Sequence, residues 1–201
     1  MQPAQIATTR RTCKAFDASR KIAPDAMAEL RTVLQFAPSS VNSQPWHFII
    51  ADSDAGRERI AATLQGGFAY NAGKVKNASH VVVFCARSDL DASHLQAVLD
   101  KEDTDGRFAT PEARTTQGNA RGFYVELHRE QKKDLPEWID RQLYIALGTL
   151  LQAAGALNID ACPMEGIDTV ALDSALGLGE KGLRSVLLVA LGYRSGDDFN
   201  G

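Results

Sequence analysis

Three short stretches of the chain carry residue types that could bind a ligand or assist a reaction, and the most unusual of them spans residues 37–50. Within the eight residues 38–45 lie two prolines, three serines, an asparagine and a glutamine, and none of the eight is charged. Because Pro38 and Pro45 each disfavour helix at the preceding residue, the segment is predicted to be extended. Its spare N–H groups and short polar side chains suit a flat, polar-edged, neutral ring system. An ordinary helix-to-strand turn is the alternative, since the same residue types are common in turns.

A basic cluster forms the second stretch, Arg10-Arg11-Thr12-Cys13-Lys14, directly after a predicted short helix over residues 2–10. One interpretation is an anion clamp, because the planar fork of an arginine matches the oxygens of a phosphate. The other is structural, since cations near a helix C-terminus interact favourably with the helix dipole. The residues alone leave both interpretations open.

The third stretch is a predicted turn over residues 161–166, where Pro163, Glu165 and Gly166 follow a short strand. Glycine permits backbone angles that present amide groups in an unusual direction. A further loop is predicted over residues 68–74, with two aromatic residues, an asparagine and a lysine.

Metal and disulfide chemistry is not expected from the sequence. The three cysteines, Cys13, Cys85 and Cys162, have neither a metal-ligand spacing nor the even number of a disulfide framework. No pair of histidines has ligand spacing. The aspartates around Gly106 do not match the glycine and glutamate positions of an EF-hand loop, so calcium is excluded.

The elements that must position these stretches alternate between helical and strand-like patterns. Strands are predicted over residues 48–51, 80–86 and 185–192, and the apolar run 80–86 suits a central buried strand. Helices are predicted to begin at Pro24 and to cover 57–64, 91–103, 111–130, 139–157 and 168–176. The helix over 139–157 is apolar around much of its circumference, which indicates either the core or a large subunit interface.

Length and charge limit the classes of function. A chain of 201 residues with 44% hydrophobic and 23% charged residues fits a single domain, 1–201. The net charge of −3 argues against nucleic acid and anionic membranes as partners, and no segment has the pattern of a signal peptide or a membrane span. We therefore expect a cytoplasmic protein.

Taken in order, four motifs resemble the FMN-dependent nitroreductase family, closest to its oxygen-insensitive NAD(P)H nitroreductase and dihydropteridine reductase branch. The motifs are Arg10-x-Thr12-x-Lys14-x-Phe16, Pro38-Ser39-Ser40-x-Asn42-x-Gln44-Pro45-Trp46, Asp105-Gly106-Arg107-Phe108 and Pro163-x-Glu165-Gly166. The match extends over essentially the whole chain. The resemblance implies an α+β fold, with a central mixed sheet flanked by helices and FMN at the interface of a homodimer.

The resemblance also implies the cofactor contacts. The FMN phosphate and ribityl chain would be held by Arg10, Thr12 and Lys14, and the cofactor-binding cluster around them includes Arg11 and Cys13. The ring would be contacted at its edge by Asn71 and at its centre by backbone groups of Pro163, Glu165 and Gly166. The partner subunit would line the ring with Pro38, Ser39, Ser40 and Asn42. Residues at positions linked to the nicotinamide cofactor are Lys14, Lys74 and Arg107.

The implied activity is ping-pong, two-electron transfer from NAD(P)H through FMN to small electron-poor acceptors such as nitroaromatics, quinones or pterins. The sequence contains no evident nucleophile–base pair, which agrees with a reaction carried by a cofactor. The substrate channel would be bordered by Phe68, Tyr70 and Tyr124. The two tyrosines stand where close relatives tend to have phenylalanine, so the resemblance does not define the preferred substrate.

Two other classes of function remain as alternatives. The chain could bind flavin without turnover, as a carrier or sensor. It could also be a nucleotide-responsive DNA-binding module, using Arg10, Arg11, Lys14 and Arg31, although the net charge and the lack of a helix-turn-helix pattern argue against this. Close relatives continue past the position of Asn200 with a Lys-x-Arg pair that grips the FMN phosphate. That pair lies beyond the present sequence, so weaker retention of FMN is expected.

Overall fold

The computed structural model describes residues 2–200 and contains helices on both faces of one sheet. The helices are α1 (Pro3–Thr9), α2 (Pro24–Gln35), α3 (Asp54–Ala61), α4 (Ala72–Asn77), α5 (Ala92–Thr104), α6 (Pro111–Glu126), α7 (Leu135–Ala156) and α8 (Thr169–Leu176). The strands are β1 (Trp46–Ala51), β2 (His80–Arg87), β3 (Asp160–Met164) and β4 (Leu183–Gly192). Short 3₁₀ turns cover Ser40–Asn42, Gly66–Asn71 and Gly179–Lys181, and a π turn covers Leu127–Gln131.

The sheet has four strands in the order β1-β2-β4-β3, and each neighbouring pair is antiparallel. The expected α+β fold is confirmed, but the expected mixed sheet is not what these four strands form. Within residues 2–200, parallel pairing is limited to an isolated bridge between Thr12 and Ala161. The bridge joins the basic cluster to the outer edge of β3, so the chain before α2 lies against the sheet without becoming a strand of it.

Alternation along β2 divides the core between the two faces of the sheet, since successive side chains of a strand point to opposite faces. One face presents Val82, Phe84 and Ala86 to a cluster that includes buried side chains of α2 and α7. The other face presents Val81, Val83 and Cys85 to a cluster with buried side chains of α3, α4 and α8. Because β2 is covered on both faces, it reads in the sequence as one uninterrupted apolar run.

Two predicted loops are regular structure. Residues 68–74 were expected as a loop, yet the 3₁₀ turn Gly66–Asn71 runs directly into α4. Pro163 lies within β3, in register with Val189, rather than in a turn after the strand. A proline is tolerated there because β3 is an edge strand, where one side of the backbone needs no ladder donor.

Four of the described helices, α3, α5, α6 and α8, begin at a residue whose side chain caps the helix. Asp91 accepts a hydrogen bond from the His94 N–H at the start of α5, and Thr110 does the same for Ala113 at the start of α6. Helix α6 ends at Glu126, earlier than the expected limit of residue 130, because the chain widens into the π turn. Among the described residues, no helix combines the length and apolar character required to cross a membrane.

Candidate functional site

The loop between α2 and β1 has a strained backbone. Val41, Asn42 and Gln44 have φ angles of 48°, 50° and 43°, in the left-handed region. Asparagine tolerates that region, but a β-branched valine rarely adopts it. Residues in such conformations cost roughly 1–3 kcal/mol each and persist only where the surrounding structure holds them.

Side chains from three helices hold this loop. Gln142 on α7 accepts a hydrogen bond from the Ser40 N–H at 2.9 Å. His94 on α5 donates from Nε2 to the Ser43 carbonyl at 2.8 Å. Arg121 on α6 donates from Nε to the Val41 carbonyl at 3.0 Å. These bonds from three helices add to the loop's own turn, in which the Asn42 N–H donates to the Ser39 carbonyl and the Ser43 N–H donates to the Ser40 carbonyl.

The polar side chains of the loop bond mainly to one another and to Glu102. Asn42 donates from Nδ2 to Glu102 at 2.5 Å and accepts from Gln44 at 3.0 Å. Ser39 Oγ accepts from the Gln44 N–H at 3.0 Å. Pro38 and Ser40 are left exposed at the surface.

A cavity of about 950 Å³ lies beside the loop. Arg107, which the resemblance assigns to binding of the nicotinamide cofactor, lines this cavity together with residues of the loop. The predicted site residues that line it are Pro38, Ser39, Asn42 and Arg107. The structure therefore brings two of the four motifs together here.

A second group of predicted residues meets at Gly166. Asn71, which is 3% exposed, donates from Nδ2 to the Gly166 carbonyl at 2.8 Å. Lys74 donates to Asn71 Oδ1 at 2.7 Å and to the Tyr70 carbonyl at 3.2 Å. Burial lowers the pKa of Lys74, and the positive charge of Lys14 lowers it further, although Cys162 opposes the change. A Cβ at position 166 would lie 2.3 Å from the Tyr70 hydroxyl, so a larger residue there would fit only if the Tyr70 side chain moved.

Tyr144 on α7 joins this group, and the sequence did not predict it. Its hydroxyl donates to Glu165 at 2.6 Å. Burial, followed by the neighbouring Glu165 carboxylate, raises the pKa of Tyr144 to about 12. The hydroxyl therefore stays protonated near neutral pH and orients Glu165 as a hydrogen-bond donor.

The basic cluster lies along β3, next to the Gly166 group. Besides the Thr12–Ala161 bridge, the Cys13 N–H donates to the Ala161 carbonyl at 3.0 Å. The Lys14 N–H donates to Asp198 at 3.0 Å, so one carboxylate accompanies the cations. The thiol of Cys13 is buried in the core, and burial raises its pKa to about 12. Its side chain therefore faces away from the surface that the other members of the cluster share.

Four arginines surround a cavity of about 480 Å³ at this cluster: Arg10, Arg11, Arg20 and Arg194. Arg194 is paired with Asp160, with a distance of 2.5 Å from Nη2 to Oδ1. Within residues 2–200, neither Arg10 nor Arg11 forms an ion pair. Because no carboxylate among the described residues neutralises Arg10 or Arg11, the cavity is electropositive and suits an anion such as a phosphate group.

The loop and the Gly166 group lie on opposite sides of α7. Gln142 contacts the loop and Tyr144 contacts Glu165, and two residues on a helix are separated by roughly 200° around its axis. The cavities at the loop and at the basic cluster share no lining residue. Within one chain, the predicted site is therefore divided into two halves that do not meet.

The three predicted substrate-channel residues are also separated. Tyr70 is 67% exposed beside Gly166, and Phe68 is partly buried against the core below it. Tyr124 lies on α6, where its ring contacts Phe123 with centroids 5.4 Å apart. In the described part of the chain no ring contact joins Tyr124 to Phe68 or Tyr70.

Sequence reasoning missed five supporting residues, all polar side chains on helices. His94, Glu102, Arg121 and Gln142 are buried, whereas Tyr144 is 40% exposed. Such a residue must find a partner when it is buried, so its position predicts a hydrogen bond. The identity of the partner follows only from the tertiary structure.

The chain was also compared with known proteins. The model of the nitroreductase family matches residues 7–193. An oxygen-insensitive NAD(P)H nitroreductase of Salmonella typhimurium is 43% identical over 200 residues, covering 100% of this chain and 92% of the relative. The protein of the same name from Enterobacter cloacae is 43% identical over 195 residues, covering 97% of this chain and 90% of the relative.

A solved structure supports the fold independently. A protein of Exiguobacterium sibiricum, titled as a putative nitroreductase in complex with FMN, superposes with a TM-score of 0.84. Sequence identity is 23%, and the match covers 100% of this chain and 92% of the other. At this level of identity the likeness establishes the fold.

Proposed function

The chain belongs to the nitroreductase family, and from that premise we propose that it is an FMN-dependent oxidoreductase that uses NAD(P)H to reduce small electron-poor acceptors. Nitroaromatics and quinones are the acceptor classes we expect, with pterins as the alternative on the same fold. The observation that carries the proposal is the group at Gly166, where Asn71, Lys74 and Glu165 converge beside the cations of the basic cluster.

The basic cluster fits the phosphate end of FMN. Arg10 and Arg11 line the cavity of about 480 Å³ and are exposed. Charge-assisted hydrogen bonds from arginine to phosphate are strong and often bidentate. We propose that Arg10 and Lys14 hold the phosphate and Thr12 the ribityl chain, with Arg11 beside them. Cys13 contributes to this segment through its place in the backbone, since its thiol lies in the core.

The Gly166 group fits the ring. The Tyr70 hydroxyl lies so close to Gly166 that a side chain at position 166 would have to displace it. Asn71 and Lys74 bring amide and ammonium groups to one edge, and Pro163 and Glu165 precede the glycine along the chain. When bound, FMN supplies the hydride chemistry, taking two electrons from NAD(P)H and delivering them to the acceptor.

The protein residues position the reactants. The Tyr144 hydroxyl donates to Glu165 and fixes the position of its carboxylate. We place the nicotinamide cofactor near Lys14, Lys74 and Arg107, whose positive charges suit its phosphates. We place Phe68, Tyr70 and Tyr124 at the border of the substrate channel, where exposed rings such as Tyr70 can stack on a planar acceptor.

We further propose a homodimer in which the loop of one subunit completes the ring site of the other. The two halves of the site lie on opposite sides of α7 in one chain, so a second copy is needed to bring Pro38, Ser39, Ser40 and Asn42 to Gly166. Residues 1–201 then act as a single domain, supported by one sheet with a core on both faces. We place the enzyme in the cytoplasm, where its three unpaired cysteines stay reduced.

A titration with FMN followed by turnover tests the function. The apoprotein should bind FMN and become yellow, NADH or NADPH should bleach the flavin band under anaerobic conditions, and addition of a nitroaromatic or quinone should restore it. Steady-state rates at varied concentrations of both substrates should give the parallel double-reciprocal lines of a ping-pong reaction. Flavin that binds but is not bleached by either nucleotide would instead indicate a carrier or sensor, and absence of FMN binding would overturn the proposal.

A further inference from the structure

The strained loop is held by a buried ion pair that has no role in the function proposed so far. Arg121 on α6 and Glu102 on α5 are joined at 2.6 Å, and their side chains are 1% and 8% exposed. Besides this bond, Arg121 donates to the Val41 carbonyl at 3.0 Å, and Glu102 accepts from Asn42 at 2.5 Å. The two charged groups are therefore hydrogen-bonded to two consecutive residues, Val41 and Asn42, both of which have a left-handed backbone.

Helix packing alone does not account for the pair. Taking two charges out of water is costly, and apolar residues of similar volume are often as stabilising or more so. The same two helices are already linked by an exposed pair, in which Arg114 contacts Asp100 and, at 3.1 Å, Asp103. What distinguishes Arg121 and Glu102 is that their remaining hydrogen bonds go to the loop.

The geometry also suits a task that apolar residues cannot perform. A carbonyl and an amide point in from the loop, and each needs a fixed partner of opposite hydrogen-bonding character. The guanidinium supplies the donor, the carboxylate supplies the acceptor, and the salt bridge fixes both relative to the two helices. Arginine holds its donors in a rigid fork, which lysine cannot reproduce.

We propose that Glu102 and Arg121 are a positioning pair, which holds Val41 and Asn42 in the left-handed conformation that presents the loop to the cofactor. The inference rests on the proposed function, since the loop is the half of the FMN site that the partner subunit supplies. Both residues act on the cofactor site through their hydrogen bonds to the loop. The pair thereby influences the affinity for FMN.

The test compares Glu102→Gln with Asp103→Asn, a matched loss of one carboxylate on the same helix. Glu102→Gln leaves the Arg121 charge buried without its partner, so it is expected to weaken FMN binding by at least about tenfold. Asp103→Asn removes an exposed contact and is expected to change the dissociation constant by less than about twofold. Quenching of flavin fluorescence on titration of the apoprotein measures both constants. If Glu102→Gln does not fold, the same titration is made with Arg121→Lys, which keeps the positive charge but lacks the planar guanidinium.

Two further measurements separate positioning from general stability. Hydrogen–deuterium exchange of the apoprotein should become faster in residues 39–45 of Glu102→Gln while β2 remains protected. Val41→Asn in the Glu102→Gln background should recover much of the lost FMN affinity, because asparagine adopts the left-handed region more readily than valine.

The outcomes distinguish this inference from the proposed function. Unchanged FMN affinity and unchanged exchange in Glu102→Gln, or an equal loss in Asp103→Asn, would overturn the positioning role. Wild-type protein that does not bind FMN would overturn the proposed function and the cofactor part of the inference, and the exchange rates would then decide whether the pair holds the loop.

Discussion

At the scale of single residues, Gly166 is the described glycine at which an added Cβ would make the shortest contact. Its carbonyl accepts from Asn71, and a Cβ there would lie 2.3 Å from the Tyr70 hydroxyl, 3.1 Å from Asn71 Nδ2 and 3.3 Å from Tyr70 Cζ. The first of these contacts involves the end of an exposed side chain, so its cost depends on whether Tyr70 can move. A substitution at Gly166 would therefore affect both the proposed ring site and Tyr70, which we place at the border of the substrate channel.

We expect Gly166→Val to weaken FMN binding by about one to two powers of ten, since overpacking costs roughly 1–3 kcal/mol. Gly166→Ala should have a smaller effect, and Tyr70→Phe should reverse most of it by removing the hydroxyl that the new Cβ meets. FMN titration of the apoproteins measures each step. Gly73→Ala is the matched control, because a Cβ at Gly73 meets nothing within 4 Å. Full FMN affinity in Gly166→Val would show that Gly166 only joins β3 to α8 and has no part in FMN binding.

At the scale of elements, the loop before β1 depends on helices that are distant in the chain. His94 on α5 donates to the Ser43 carbonyl and is buried. Burial lowers the pKa of His94; the charges of Arg87 and Arg121 lower it further, while the Ser43 carbonyl and Asp91 oppose them. The neutral imidazole is thus the form that the folded state favours.

This dependence predicts a loss of stability in mild acid. Because the folded state lowers the pKa of His94 below 6.5, the unfolded chain takes up a proton first as the pH falls through 6.5. The free energy of unfolding should therefore decrease below that pH, by at most about 1.4 kcal/mol per pH unit for this one group.

Urea unfolding between about pH 5 and pH 8 measures the effect. His94→Gln keeps a donor for Ser43 but does not titrate, so its stability should vary less with pH than that of the wild type. Burial also lowers the pKa values of His47 and His80, so part of the pH dependence should remain in this variant. An identical pH profile for wild type and His94→Gln would contradict the assignment.

At the scale of the whole molecule, apolar side chains remain exposed on the helices that separate the two halves of the site. Phe123 and Tyr124 on α6 are 60% and 44% exposed, and Tyr144 and Ile145 on α7 are 40% and 44% exposed. Helix α7 thus buries one side in the core and leaves apolar surface on another. A second copy of the chain would cover this surface and complete the ring site with the same contact.

We expect light scattering to give twice the chain mass of 21.7 kDa at micromolar concentration. Obligate interfaces of this kind bury more than roughly 2,000 Å². Ile145→Glu should shift the protein towards monomer and weaken FMN binding in parallel, because a buried unpaired charge opposes association. Val170→Glu is the control, since Val170 is 79% exposed on α8. A folded monomer that binds FMN as tightly as the wild type would refute the shared site.

The sequence by itself determined the parts of this protein that depend on local pattern. The uninterrupted apolar run of β2 predicted a central buried strand, and β2 is covered on both faces. The apolar run over 139–157 predicted a helix in the core or in a subunit interface, and the helix covers Leu135–Ala156 with one side in the core. The four spaced motifs pointed to the nitroreductase family, which the comparisons confirm. Each of these signals is carried by residues close together in the chain or by their order along it.

Only the tertiary structure decided how these parts meet. Proline predicted an extended connection before β1, but Val41 and Asn42 have a left-handed backbone and are bonded to Arg121 and Glu102, which lie 80 and 60 positions away. Periodicity could not place Pro163 inside an edge strand, since that depends on which strand lies beside it. Helical periodicity puts Gln142 and Tyr144 on different sides of α7, but it could not identify the loop and Glu165 as their partners. Local patterns select an element and its buried face, whereas the partners of a buried polar group are set by the packing of the whole chain.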